Sequence, residues 1–381
     1  MSPNDLLHRA LTGAVSGPVP CAPLYLGLYY AGPQRRELAQ VYRDLADGAD
    51  ELELTLELEA NARAEVWRRL HGRLGRKPDW VPGLLGPART GIDGARVAFR
   101  PGQCLWYPPG GSEATGDLLG PYHSSHTGVW EADSPPDTLA AIDAALPRSS
   151  PEDYLADDRA LCARHLQETL GEDTCVYVSS GSPYWACYSL FGFAGLMQNL
   201  RQRPELVLRA AERALQGRLA YAQAAWQAGF RLLFVEECLS GSDLISSEDY
   251  RRFVGPFLRE MLQECRQIGL QTVFYHCGGV EGRLDLLAES AASALAFEES
   301  KKGFVVDLGQ VRREIGPEKT LFGNTDVVLV RDGTPERIAA EVQRQYAAAG
   351  PRFVVSIGSP LTLDTAEEKI AVLAEAAKGL R

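Results

Sequence analysis

The sequence predicts an α/β fold, a parallel (β/α)8 TIM barrel that carries a hairpin and loop insertion in its N-terminal half. Three observations predict it. Short apolar strands alternate with amphipathic helices through the second half of the chain. Many of those strands end on polar or titratable residues, which in a barrel is the active-site end. No Gly-rich phosphate turn follows the first strand, which disfavours a doubly wound open sheet. A chain of 381 residues accommodates one barrel with insertions, so residues 1–381 read as a single domain with an insertion at about 76–134.

Taken in order, Ala22 to Tyr30 is apolar and aromatic and reads as the first strand, stopped at Ala31-Gly32-Pro33. Residues 35–48 read as a helix. Glu51 to Leu58 alternates acid and leucine, formally a strand pattern in residues that favour helix, and Ala60 to Leu70 reads as helix. From Arg76 to Ser134 the chain turns rich in Gly, Pro and aromatics, with short alternating pieces at Ala95–Arg100 and Gln103–Tyr107. This insertion is a candidate lid or homodimer contact, since long ordered loops are often functional. His123 and His126 lie in it with His-Ser-Ser-His spacing, which by itself reads as surface.

The second half is regular. Thr174–Ser179, Arg231–Glu236, Gln271–Gly279, Ser293–Phe297, Thr320–Phe322 and Arg352–Ser356 read as strands. Leu208, Ala211, Leu215, Leu219, Ala222 and Trp226 keep the spacing of one helical face. Tyr250, Phe253, Phe257, Met261 and Cys265 mark another helix, with Pro256 as a kink point. Thr334-Pro335-Glu336 supplies an N-cap, a proline at the first helical position and an early acid. Thr365-x-x-Glu368 reads as a capping box for the last helix. Eight units fit once a second strand, not locatable from its residues, is counted.

Composition narrows the function. A net charge of −11 argues against nucleic acid as the main partner, which requires a cationic face. Arg35-Arg36 and Lys301-Lys302 are short runs and read as solvated surface. The eight cysteines form no CxxC pair and fit buried thiols in a reducing compartment. No apolar signal core opens the chain and no window has the length of a membrane span. The expectation is a cytoplasmic enzyme acting on a small molecule.

The strand ends carry the candidate chemistry: Glu236, Glu237 and Cys238; Tyr275, His276 and Cys277; Glu298 and Glu299; Asn324 and Asp326; Ser356, Gly358 and Ser359. Tyr275, Asn324, Asp326 and Glu298 are the expected substrate-binding residues. Catalytic zinc takes three protein ligands from Cys, His and carboxylate, and Glu236, His276 and Cys277 meet that count. Neighbours along a strand point to opposite faces, so His276 and Cys277 converge only if the strand has ended, which Gly278-Gly279 permits.

These stretches resemble a family. Asp243-Leu244-Ile245-Ser246 with Tyr250 and Phe253, His276-Cys277-Gly278, Leu321-Phe322-Gly323-Asn324-Thr325-Asp326 and Gly333-Thr334-Pro335-Glu336-Arg337-Ile338 are similar in order and spacing to the uroporphyrinogen decarboxylase superfamily. Its branches include cobalamin-dependent methyltransferases of the methylcobalamin:coenzyme M type. The likeness covers about residues 170–381 and implies the (β/α)8 barrel. Decarboxylases of the family carry Met-Arg-Gln-Ala-Gly-Arg after the first strand, whereas Gly27 to Arg36 here reads Gly-Leu-Tyr-Tyr-Ala-Gly-Pro-Gln-Arg-Arg. They also place a histidine near Ile357-Gly358-Ser359. The methyltransferase branch binds zinc through His-x-Cys-Gly and a later Cys, positions held here by Tyr275, Cys277 and Ser359. The resemblance therefore implies a variant zinc site of Glu236, Cys277 and His276, and a corrinoid as methyl carrier, free or on a partner protein. The expected activity is zinc-dependent methyl transfer between a corrinoid and a small thiol, ether or amine. Two alternatives stay open. One is a metal-free decarboxylase or lyase acting on a carboxylated small molecule or tetrapyrrole. The other is a barrel that binds a corrinoid or tetrapyrrole without catalysis.

Overall fold

The structure is a computed structural model and describes residues 3–13, 17–120 and 130–380. Among the described residues, seven parallel strands run in spatial order Phe353–Val354, Thr320–Phe322, Ala294–Phe297, Gln271–His276, Leu232–Glu237, Cys175–Gly181 and Trp80–Pro82. An eighth position joins the two ends. Cys21 bridges Val355 in parallel, with Ala22 N–H donating to Val355 O and Val355 N–H to Pro20 O, both at 2.8 Å. On its other side Cys21 meets Asp79. The Asp79 N–H donates to Cys21 O at 2.8 Å, and the Cys21 N–H donates to Asp79 Oδ2 at 2.7 Å. The sheet thus closes into the expected barrel.

The first strand is far shorter than its sequence suggests. Pro20 and Pro23 flank Cys21 and offer no N–H to a ladder. Tyr25 then takes a left-handed φ of 56° and turns the chain into the helix Leu26–Tyr29. The second strand is Trp80–Pro82, paired in parallel with Cys175–Tyr177. It lies inside the Gly/Pro-rich stretch, where three residues ending in proline carry no strand period. Further along that stretch, Arg96–Arg100 and Gln103–Tyr107 form the expected hairpin. Glu51–Glu53 pairs with its outer edge, and Thr55 caps the helix Leu56–Gly72. The acid–leucine run is therefore strand first and helix afterwards.

Other local expectations divide the same way. The Thr334 hydroxyl accepts the Arg337 N–H and caps Pro335–Ala349. Thr365 bonds Thr362 instead of forming a box, because the last helix begins at Glu368. Pro256 sits in the first turn of Gly255–Gln267, just after a π-turn at Tyr250–Val254, so it starts a helix rather than bending one.

The core fills the barrel and the layer between strands and helices. Trp80 is fully buried, contacts Tyr177, Phe234 and Phe322, and donates its indole N–H to Pro23 O at 2.8 Å. It ties the first strand to the second from inside. Trp80→Ala should cost about 3–5 kcal/mol, the usual loss for a buried tryptophan. Urea unfolding monitored by circular dichroism measures it, and a loss below about 1 kcal/mol would show that this residue does not brace the closure.

Candidate functional site

At the carboxyl end of the barrel lies a cavity of about 590 Å³. Tyr25, Tyr177, Phe234 and Tyr275 form aromatic walls, with Tyr25 edge-on to Phe234 at 5.6 Å and to Tyr275 at 5.4 Å between centroids. Trp185 and Tyr188 reach it from the helix Pro183–Gln202, which Ser182 caps. The Trp130 N–H donates to the Tyr188 hydroxyl at 2.7 Å and its ring also lines the space.

Two neighbouring strands set its chemistry. Glu236 pairs with Tyr275, and Glu237 with His276. Glu236 and Tyr275 face the cavity, so alternation turns Glu237 and His276 away from it. The Tyr25 hydroxyl donates to Glu236 Oε2 at 2.9 Å. Glu237 is fully buried, accepts hydrogen bonds from Ser182 and the Leu239 N–H, and burial raises its carboxyl to about 7. His276 is also fully buried, against Tyr250 and Phe274. Its Nε2 lies 3.1 Å from Gly279 O and its Nδ1 has no partner among the described residues. Burial lowers its imidazole to about 4, so it is neutral at pH 7.

Past the strand ends the inward positions continue with Cys238 and Cys277. Gly278 has φ 95°, a turn that glycine makes without strain. Its N–H and the Cys277 thiol both donate to Glu298 Oε2 at 2.9 Å. Lys301 Nζ stands 2.7 Å from Glu298 Oε1 and 3.2 Å from Glu299 Oε1, and donates to Ser359 Oγ at 2.6 Å. Lys302 adds a contact to Glu298 Oε1 at 3.1 Å. Burial pushes the Glu298 carboxyl up, but the Cys277 bond and the Lys301 ammonium outweigh it and hold it below the usual range. Ser359 donates to Glu299 Oε2 at 2.6 Å and the Tyr275 hydroxyl to Gly358 O at 2.8 Å. A side chain at Gly358 would collide with the Glu299 backbone, so glycine is required there.

The cavity brings together Glu236, Tyr275, Cys277 and Glu298 of the residues expected from sequence. It does not bring in Asn324, which donates to Glu298 O at 3.2 Å and Val306 O at 3.3 Å and fastens two loops. Asp326 caps the helix Val327–Asp332 through the Val328 N–H. Lys301, expected as solvated surface, is instead part of the cavity wall. Tyr25 lies in a stretch whose pattern reads as strand, and Trp185 and Tyr188 lie near a helix start, so none of the three carries a site signal in the sequence. His123 and His126 lie outside the described residues.

The zinc expected at Glu236, Cys277 and His276 does not fit this arrangement. His276 is on the far side of its strand, and Glu298 has both oxygens engaged by hydrogen-bond donors. Among the described residues, no group of three or more His, Cys, Asp or Glu side chains could hold a metal ion.

Comparison with known proteins gives a consistent lineage. The family profile of uroporphyrinogen decarboxylase (URO-D) matches residues 133–380. A uroporphyrinogen decarboxylase of Dechloromonas aromatica is 26% identical over 52% of this chain and 57% of its own length. A methylcobamide:CoM methyltransferase of Methanosarcina barkeri is 23% identical over 55% of this chain and 60% of its own. The matched region therefore spans little more than half of either relative. A solved methyltransferase from Methanosarcina mazei covers 100% of this chain and 99% of its own, with a TM-score of 0.66 and 18% identity, and has the same fold.

His276 makes the outward face testable. Its folded-state value is lowered to about 4, so the stability from keeping it neutral is present above about 6.5 and lost as pH falls toward about 4. At pH 5 this costs about 2 kcal/mol relative to pH 7. Urea unfolding at the two pH values should show His276→Gln losing less stability than wild type by about that amount. Equal losses would mean that the imidazole is not held neutral.

Proposed function

Because the chain belongs to the uroporphyrinogen decarboxylase (URO-D) family, whose relatives include both decarboxylases and methyltransferases, we propose that its barrel moves a methyl group between a corrinoid and a small thiol, ether or amine. One observation carries the choice between branches. The cavity is aromatic and acidic, and the cation among its described lining residues, Lys301, is already held by Glu298 and Glu299. A polycarboxylated tetrapyrrole would need cations to spare, because carboxylates buried without them are costly.

The chain's own groups then divide the work. The aromatic walls exclude water from the transferring methyl group and strengthen every polar contact inside. Glu236, oriented by Tyr25, takes the proton of an entering thiol or holds a protonated amine. Cys277, fixed by its bond to Glu298, flanks the heteroatom and sets its line of approach. Leu84, Leu244, Val305, Val328 and Leu363 are exposed on segments that follow barrel strands. They supply an apolar rim against which a corrinoid, free or carried by a partner protein, can rest.

With methylcobalamin as donor and a small thiol as acceptor, Cys277→Ala and Glu236→Gln should each lower the transfer rate roughly 100-fold, the scale seen when an orienting group is lost. Thermal unfolding controls for folding. Wild-type rates in both well-folded variants would remove these residues from the reaction.

A further inference from the structure

Six of the eight cysteines are buried, and the two of intermediate exposure, Cys238 and Cys277, are the two that line the cavity. They are also neighbours. The ladder that pairs Glu237 with His276 continues for one more bond, Cys277 N–H to Glu237 O at 2.9 Å. The next step sets Cys238 beside Cys277, both on the inward face. Adjacent strands run about 4.8 Å apart, within the Cα separation that a disulfide spans. Neither is held in a disulfide, and both are free thiols.

We propose that Cys238 and Cys277 form a modification site, a thiol pair that a small hydroperoxide entering the cavity oxidises to a reversible disulfide. Cys277 is the attacking sulfur, because its proton already points at Glu298 Oε2. Its sulfur bonds to the terminal peroxide oxygen, the O–O bond breaks, and the departing alkoxide or hydroxide leaves with the thiol proton as alcohol or water. Cys238 then displaces the hydroxyl from the Cys277 sulfenic acid. The S–S bond forms, and the hydroxide takes the Cys238 proton to become water. Two thiols have lost two electrons in all, and the hydroperoxide has become an alcohol (or water) and one water. The disulfide draws Cys277 off Glu298 and shuts the cavity's reactive wall until a dithiol reduces it. The buried cysteines have no route to the same chemistry, since reactivity follows access as well as thiolate character.

The test is a peptide map of the full-length protein after brief treatment with hydrogen peroxide at neutral pH, alkylated without reduction. The free-thiol count, eight at the start, should fall by two, and one cross-linked peptide pair should carry Cys238 and Cys277. Dithiothreitol should restore both thiols, and Cys238→Ser should abolish the cross-link. Three results overturn the proposal: both thiols still alkylated after peroxide, Cys277 driven to sulfinic acid with Cys238 free, or a cross-link joining a different pair. The wild-type map decides the matter even if the variant does not fold.

Discussion

The site depends on strand alternation along two neighbouring ladders. Leu232–Glu237 and Gln271–His276 run in parallel register, and each residue that faces the barrel axis has neighbours that face the helices. Glu236, Cys238, Tyr275 and Cys277 therefore share the cavity, while Glu237 and His276 are sealed in the layer behind it. A slip of one residue would exchange the two sets and place a buried acid and a neutral imidazole where the thiols now stand. Glu236 lines the cavity beside Tyr25 while Glu237 is fully buried behind it, a difference that follows from one residue's step along the strand.

Barrel closure makes those positions fixed. The join is narrow: Cys21 contacts Val355 on one side and the Asp79 backbone and carboxylate on the other. Trp80 braces it from within by holding Pro23 O. Immediately after that join, Tyr25 turns left-handed and projects into the cavity, where it meets Glu236 and stacks edge-on against Tyr275. The structural seam of the barrel and its chemical floor are thus a few residues apart. Across the cavity, Lys301 gathers Glu298, Glu299 and Ser359 from the loops after two strands. An ammonium ion ties together a wall that would otherwise repel itself.

Most of this architecture is legible in the sequence because parallel strands buried on both faces read as apolar runs, and six of them do. The first two strands are not legible for opposite reasons. Ala22–Tyr30 looks like a strand but is cut short by Pro23 and the turn at Tyr25, while Trp80–Pro82 is too short to show any period. In the site, residues at strand ends are legible: Glu236, Tyr275, Cys277 and Glu298 all reach the cavity. His276, expected as a ligand, faces away from the cavity because adjacency in sequence does not become adjacency in space on a strand still regular at that residue. Lys301 reads as surface because a lysine pair carries no sign of the two carboxylates that draw one of its members inward. Asn324 and Asp326 carry polar groups that local backbone consumes, one clamping loops and the other capping a helix.

Methyl transfer in an acidic aromatic cavity is tested most directly by the absorption spectrum of methylcobalamin during incubation with the protein and small thiols under anaerobic conditions. Demethylation of the corrinoid with formation of the methyl thioether, at a rate set by protein concentration, is the predicted result. An unchanged spectrum, together with carbon dioxide release from uroporphyrinogen by the same preparation, would contradict it.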